Sequence, residues 1–297
     1  METAVTSAGD PLARLSTRPA REPTDADVET YERDGVVCLR GVFDADWCRV
    51  LHDAAIEAMA SGRGRVREPK LEPGQGRFYS SVYQSDHDPR FARLRDASPA
   101  PEVAARLMRA ERVRFYYDQL FIKAPGTQAP TPWHNDLPFW PFQGGDLISL
   151  WIALTPVSRA TSGVQYVAGS HRWNRMYRAV TPDYDARFMD ERLEVCPDYG
   201  TGEHPEVTIL SWDMHPGDVL CHHPLTVHGA AGNASTVQPR VGLSIRFLGT
   251  DVRWDPRPHT MALRRDPGVA PGAYPADDVA LPVVWERGRG LLALAGA

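Results

Sequence analysis

The sequence predicts a mainly β chain with flanking helices (α+β), a double-sheet jelly roll whose N-terminal helices cover one sheet. Three observations carry that expectation. Twenty-six prolines and 24 glycines in 297 residues imply many turns, which suits short strands better than a helical bundle. Six strand candidates, at 113–123, 147–154, 164–167, 207–210, 219–221 and 241–247, crowd the stretch after residue 112. Two of them alternate cleanly: Ile148, Leu150, Ile152 and Leu154 oppose Ser149, Trp151, Ala153 and Thr155, while Val241, Leu243, Ile245 and Phe247 oppose Arg240, Gly242, Ser244 and Arg246. An aliphatic back with a small or polar front fits a sheet covered by helices behind and facing a polar site in front.

Along the chain, residues 1–23 hold no apolar run of signal-peptide or membrane-span type and read as a disordered tail. Residues 24–297 read as a single domain. Thr24 offers an N-cap with acidic residues in the first turn, for a helix that reaches Asp34 and stops at Gly35. Val36–Leu39 follows as a strand. Asp44 caps a second helix over 45–59, with Cys48, Leu51 and Ala55 on one face and Ile56 beside them. Residues 61–82 are rich in Gly, Arg, Pro and Ser, which suits a solvated loop; Arg77, Phe78 and Tyr79 also suit a lid over a site. Beyond Asp255 the chain is rich in Pro and Arg and reads as an irregular C-terminal arm over 255–297.

The formal net charge of −5, with no long basic run, argues against nucleic acid or an anionic membrane as partner and leaves a small-molecule substrate. Cys38, Cys48, Cys196 and Cys221 form no CxxC pair. Reduced thiols in a cytoplasmic protein are the expectation.

The residues that suggest chemistry start with His134 and Asp136. On a strand, residues i and i+2 share a face, so both side chains can grip one ion. A distant second imidazole completes the two-His-one-carboxylate set of Fe(II) oxygenases, which leaves open positions for a cosubstrate and dioxygen. Pro132 and Pro138 flank the pair and make the segment short and stiff, suited to a strand end. Candidates for the third ligand are His171, His215, His222, His223, His228 and His259. His228 is preferred, because Gly229 follows it and a strand opening with Arg240 lies 12 residues on; His222 and His223 read as packed or hydrogen-bonded strand residues. Arg240, with Ser244 four residues along on the same face, suits bidentate recognition of a carboxylate. Trp133, Phe139, Trp140 and Phe142 cluster near the metal pair as pocket walls or as core, and Arg77 or Arg246 can meet an anionic group on a substrate.

Several ordered stretches, WHNDLPFWPF (133–142), DLISLW (146–151), GVQYVAGSH (163–171) and HGAAGN (228–233) with Arg240, together resemble the phytanoyl-CoA dioxygenase family. ERDGVV (32–37) and GVF (41–43) look like that family's N-terminal signature, so the resemblance spans roughly 24–255. It implies a double-stranded β-helix, Fe(II) held by His134, Asp136 and His228, and 2-oxoglutarate and O2 as cosubstrates. It further implies that Arg240 binds the distal carboxylate of 2-oxoglutarate, with Trp151, Gln119 and Thr131 lining the same pocket. Ala230 stands where many relatives carry Ser. The implied activity is hydroxylation of an unactivated C–H bond in a small metabolite. Desaturation, epoxidation, cyclisation or demethylation at the same iron is the alternative outcome, and a non-catalytic metal-binding jelly-roll sensor is the alternative of a different class.

Overall fold

A computed structural model describes residues 11–292, so residues 1–10 of the expected tail lie outside the described residues. The remainder of that tail is ordered, a correction to the expectation. Pro11–Arg14 forms a 3-10 turn, Leu15 is buried, the Ala20 N–H donates to the Val42 carbonyl at 3.0 Å, and Arg21 pairs with Asp27 at 2.8 Å. Leu15 docks on the helical layer, which the polar composition of 1–23 does not advertise.

The first helix runs Asp25–Asp34, opened by the Thr24–Asp27 capping box and closed by Gly35 at φ 75°. Gly35 is needed on two counts, because any Cβ there would also strike His171 and Thr226. Val36–Leu39 is a strand, and Asp44 caps the helix Ala45–Ser61. Two further helices, Pro89–Ala97 and Ala100–Met108, complete the cover.

The larger sheet is antiparallel. Its order is Val36–Leu39, Val219–His222, Leu147–Ala153, Arg240–Leu248, Arg112–Lys123. Phe78–Val82 and Val283–Glu286 both pair with Arg112–Lys123, along different stretches of that long strand. The smaller sheet holds Thr131–His134, His228–Ala230, Gln165–Val167 and Ile209–Leu210. The two sheets form a jelly roll with the helices behind the larger one.

The alternation read from the sequence decides which side is which. Ile148, Leu150, Ile152, Val241, Leu243 and Ile245 belong to one cluster with Trp47, Leu51, Leu94 and Val103 of the helices. The front of the same strands is thereby turned toward the smaller sheet, where burial of polar groups requires partners.

Two segments differ from expectation. Residues 61–82 are not a free loop or a lid throughout, because Phe78–Val82 is a wholly buried strand. The Gly- and Pro-rich context hides it, while pairing with residues 119–123 makes it. The C-terminal arm is irregular up to residue 282, but Val283–Glu286 then joins the sheet against residues 112–114. No helix among the described residues is long and apolar enough to cross a membrane.

Candidate active site

Between the sheets lies a cavity of about 290 Å³. His134 ends one strand of the smaller sheet and faces His228 directly across the ladder. Asp136 departs from the expected geometry, because it is not on the strand. Its φ of −77° and ψ of −30° begin a 3-10 turn over Leu137–Phe139 that Pro138 favours. The turn is pinned by the Asp136 N–H, which donates to the Pro224 carbonyl at 2.7 Å. The carboxylate still returns to the histidines, with Oδ1 at 3.5 Å from His134 Nε2 and 3.9 Å from His228 Nε2.

These three buried side chains place one donor atom each within 4.8 Å of one another. Both imidazoles are oriented from behind: His134 Nδ1 lies 2.7 Å from the Pro132 carbonyl and His228 Nδ1 lies 2.9 Å from the Thr226 carbonyl. A carbonyl only accepts, so Nδ1–H donates in each and the Nε2 lone pair is left for a metal. Cis ligands about 2.1 Å from a shared ion stand roughly 3 Å apart, so a small contraction of the trio fits a first-row divalent ion.

The other carboxylate oxygen is occupied. Ser149 Oγ donates to Asp136 Oδ2 at 3.3 Å, with His222 Nε2 at 3.6 Å and Arg246 Nε at 3.9 Å from the same atom. Burial alone would raise the Asp136 carboxyl. The Arg246 guanidinium and the His222 imidazole that face it outweigh burial and hold the group well below the usual carboxylate range. Burial, reinforced by the other imidazoles, pushes His228 well down, consistent with a neutral ligand.

On the facing sheet Arg240 is 2 % exposed. Its Nη2 donates to Ser162 Oγ at 3.2 Å, the guanidinium lies 5.4 Å from the Trp151 ring centroid, and Nε has no partner among the described residues. Burial brings this arginine down to about 10, since no carboxylate answers it. Trp151, Gln119, Thr131 and Ser244 all line the same cavity, with Ser244 opposite Gln119 and Trp151 in the ladders. Gly242 matters here, because a Cβ on it would run into the Trp151 indole.

The remaining candidates divide. Phe139 and Arg246 line the cavity. Trp133 does not: it alternates with His134, so it points to the opposite side of the smaller sheet, against Tyr199 at 5.7 Å. Trp140 is fully buried in core, its Nε1 donating to Tyr117 OH at 3.2 Å, and Phe142 is likewise core. Arg77 is held away by Glu68, at 2.5 Å.

Residues not singled out from the sequence complete the walls, among them Tyr117, Phe188 and Tyr166. The expectation of a packed strand histidine holds for His222 only in part. His222 does take a hydrogen bond with Tyr166 OH, 3.2 Å from its Nδ1, but it also faces the cavity beside Asp136. Its signal was the alternation of 219–222, where Val219 and Cys221 join the helical side and His222 therefore fronts the site opposite Ser149.

The other histidines lie elsewhere: His215 and His259 are exposed, and His171 meets the Glu32 carbonyl. His223 is buried outside the cavity and accepts the Leu225 N–H at Nδ1, 3.1 Å away. Burial, then His171 and His222, push it down to about 3. An unfolded chain takes up a proton near pH 6.5 that the folded chain refuses until about pH 3. This contribution is therefore complete above pH 6.5 and is lost as pH falls, by about 2 kcal/mol at pH 5. Thermal unfolding of metal-free protein is expected to track that loss. His223→Asn, whose amide oxygen accepts the same bond but does not titrate, is expected to flatten the profile between pH 7 and 5. An unchanged slope would assign the effect to other groups.

Known proteins resemble this chain in sequence and in fold. The family model for phytanoyl-CoA dioxygenase (PhyH) matches residues 31–242. The 1-deoxypentalenic acid 11-beta-hydroxylase of Streptomyces arenae is 26% identical over 218 residues, 69% of this chain and 73% of that one. The ectoine dioxygenase of Sphingopyxis alaskensis is 23% identical over 256 residues, 80% of this chain and 82% of that one. Among solved structures, the non-heme alpha ketoglutarate dependent carbocyclase SnoK from nogalamycin biosynthesis superposes with a TM-score of 0.67 at 21% identity, covering 89% of this chain and 98% of SnoK. That likeness is one of fold. With the family match extending over most of the chain, from the first helix to the strand that carries Arg240, this protein belongs to the phytanoyl-CoA dioxygenase family.

Proposed function

We propose that this enzyme, Fe(II)- and 2-oxoglutarate-dependent like its family, hydroxylates an unactivated C–H bond of a small organic metabolite, with His134, Asp136 and His228 as the metal ligands. The observation that carries the assignment is the trio of converging buried donors facing one cavity with the buried Arg240 guanidinium, whose Nε has no hydrogen-bond partner among the described residues. When bound, Fe(II) and 2-oxoglutarate supply O2 activation coupled to oxidative decarboxylation, releasing succinate and CO2.

The protein's own part is positional. Pro132 and Thr226 carbonyls fix the two imidazoles, and Ser149 turns one carboxylate oxygen away so that the other faces the ion. Arg240, with Ser162, Ser244 and Gln119 around it, presents donors to the distal carboxylate of 2-oxoglutarate, and Trp151 covers that guanidinium. Phe139, Tyr117 and Phe188 wall the remaining space and keep it dry. Relatives of this fold are named for hydroxylation and for carbocycle formation, so the outcome follows from where the substrate carbon is placed.

Anaerobic titration tests the reading. Adding 2-oxoglutarate to the Fe(II)-loaded protein is expected to give a weak visible charge-transfer band, and a metabolite screen is expected to find substrate-dependent succinate. No 2-oxoglutarate binding with iron present would instead favour a metal-binding sensor.

A further inference from the structure

The cavity wall is strongly unbalanced in charge. Arg65, Arg67, Arg187, Arg240 and Arg246 line it, and among the described residues Asp136 is the only carboxylate that does. At the mouth, Asp183 and Asp185 answer Arg67, and Asp185 also answers Arg187. In the interior only Arg240 and Arg246 remain, 2 % and 3 % exposed.

Arg246 is the unexplained one. Among the described residues its Nε and Nη1 have no hydrogen-bond partner, its nearest anion is Asp136 Oδ2 at 3.9 Å, and its guanidinium sits 4.3 Å from the Tyr117 ring centroid. A buried cation of this kind is costly unless something pairs with it. The charges of the loaded site do not supply that partner, on the functional reading above. A ferrous ion and a 2-oxoglutarate dianion cancel, neutral imidazoles add nothing, and Asp136 offsets one of the two guanidiniums. One positive charge is left over. Arg240 takes the cosubstrate's distal carboxylate, so the surplus resides at Arg246.

We propose that Arg246 anchors the substrate through a carboxylate, and that the substrate is a monoanionic carboxylic acid whose apolar body lies against Phe139 and Phe188. A planar carboxylate matches the guanidinium fork in a bidentate pair, and a single negative charge neutralises the cavity where a phosphate monoester would overshoot it. Anchored beside Asp136, the acid presents carbons close to its own carboxyl to the metal.

The test uses full-length protein loaded with Mn(II) and saturating 2-oxoglutarate, so that the Arg240 position is filled. Three fluorinated pairs of increasing bulk, each an arylacetic or cyclohexylacetic acid with its primary amide, are titrated and followed by fluorine NMR, in which paramagnetic relaxation by Mn(II) reports proximity to the metal. Each acid is expected to bind at least about 10-fold more tightly than its amide and to be relaxed by the ion. Arg246→Gln is expected to erase the preference while 2-oxoglutarate still binds, and Arg246→Lys to restore part of it. Acids and amides that bind alike, or not at all, overturn the proposal, as does a preference that survives Arg246→Gln. Failure of 2-oxoglutarate to bind in the first step overturns the functional reading instead, and the charge balance with it.

Discussion

Asp136→Ala is expected to abolish substrate-dependent succinate formation and to weaken Fe(II) binding by more than about 100-fold, because loss of an outer partner of a metal ligand alone costs roughly 10- to 100-fold. The carboxylate has a second duty. Among the described residues it is the only anion paired with Arg246, at 3.9 Å, so its removal leaves a buried cation unanswered at a cost on the order of 3 kcal/mol. The alanine variant is therefore expected to melt below wild type even without metal. Asp136→Asn preserves volume and an oxygen for Ser149, and is expected to lose metal affinity similarly but to melt between the two. Calorimetric iron titration and thermal unfolding of the three proteins separate ligand from counter-ion. An alanine variant that still binds iron tightly and turns over would remove Asp136 from the centre.

Much of this arrangement was legible in the sequence, where local chemistry and tertiary structure point the same way. The Thr24 cap and Gly35 stop bound the first helix because both act through backbone groups a few residues away. The faces of 147–154 and 240–247 were readable because a strand's period is two and one side is packed on helices. Where expectation failed, the deciding contact was remote or the local geometry changed. Arg77 is neutralised by Glu68 nine residues away through a bent segment, which composition does not reveal. Trp133 was placed near the metal by adjacency, although alternation with His134 sends it to the other face. Asp136 reaches the site by a turn instead of along the strand, so the i, i+2 spacing was sound but its strand rationale was not.

Arg240→Gln is expected to weaken 2-oxoglutarate binding at least about 30-fold, a loss on the order of 2 kcal/mol for a buried charge-assisted pair, with Fe(II) affinity changed little. The separation of effects follows from position. Arg240 lies at the far end of the strand from Arg246, its contacts are Ser162 and Trp151, and it is not among the groups within 4 Å of the Asp136 carboxylate. Its guanidinium is brought down to about 10 by burial, still protonated at neutral pH, and carries that desolvation cost until an anion arrives. The nearby Lys123 cannot substitute, since burial and then Arg240 push it well down, and its Nζ already donates to the Ala231 carbonyl at 2.9 Å. Ser162→Ala removes only a neutral partner and is expected to cost less than the arginine change. Titration of 2-oxoglutarate into the Fe(II)-loaded variants under anaerobic conditions measures both. If Arg240→Gln leaves that affinity intact, the cosubstrate's carboxylate is held elsewhere, and Arg246 is the other buried guanidinium lining the cavity that could hold it.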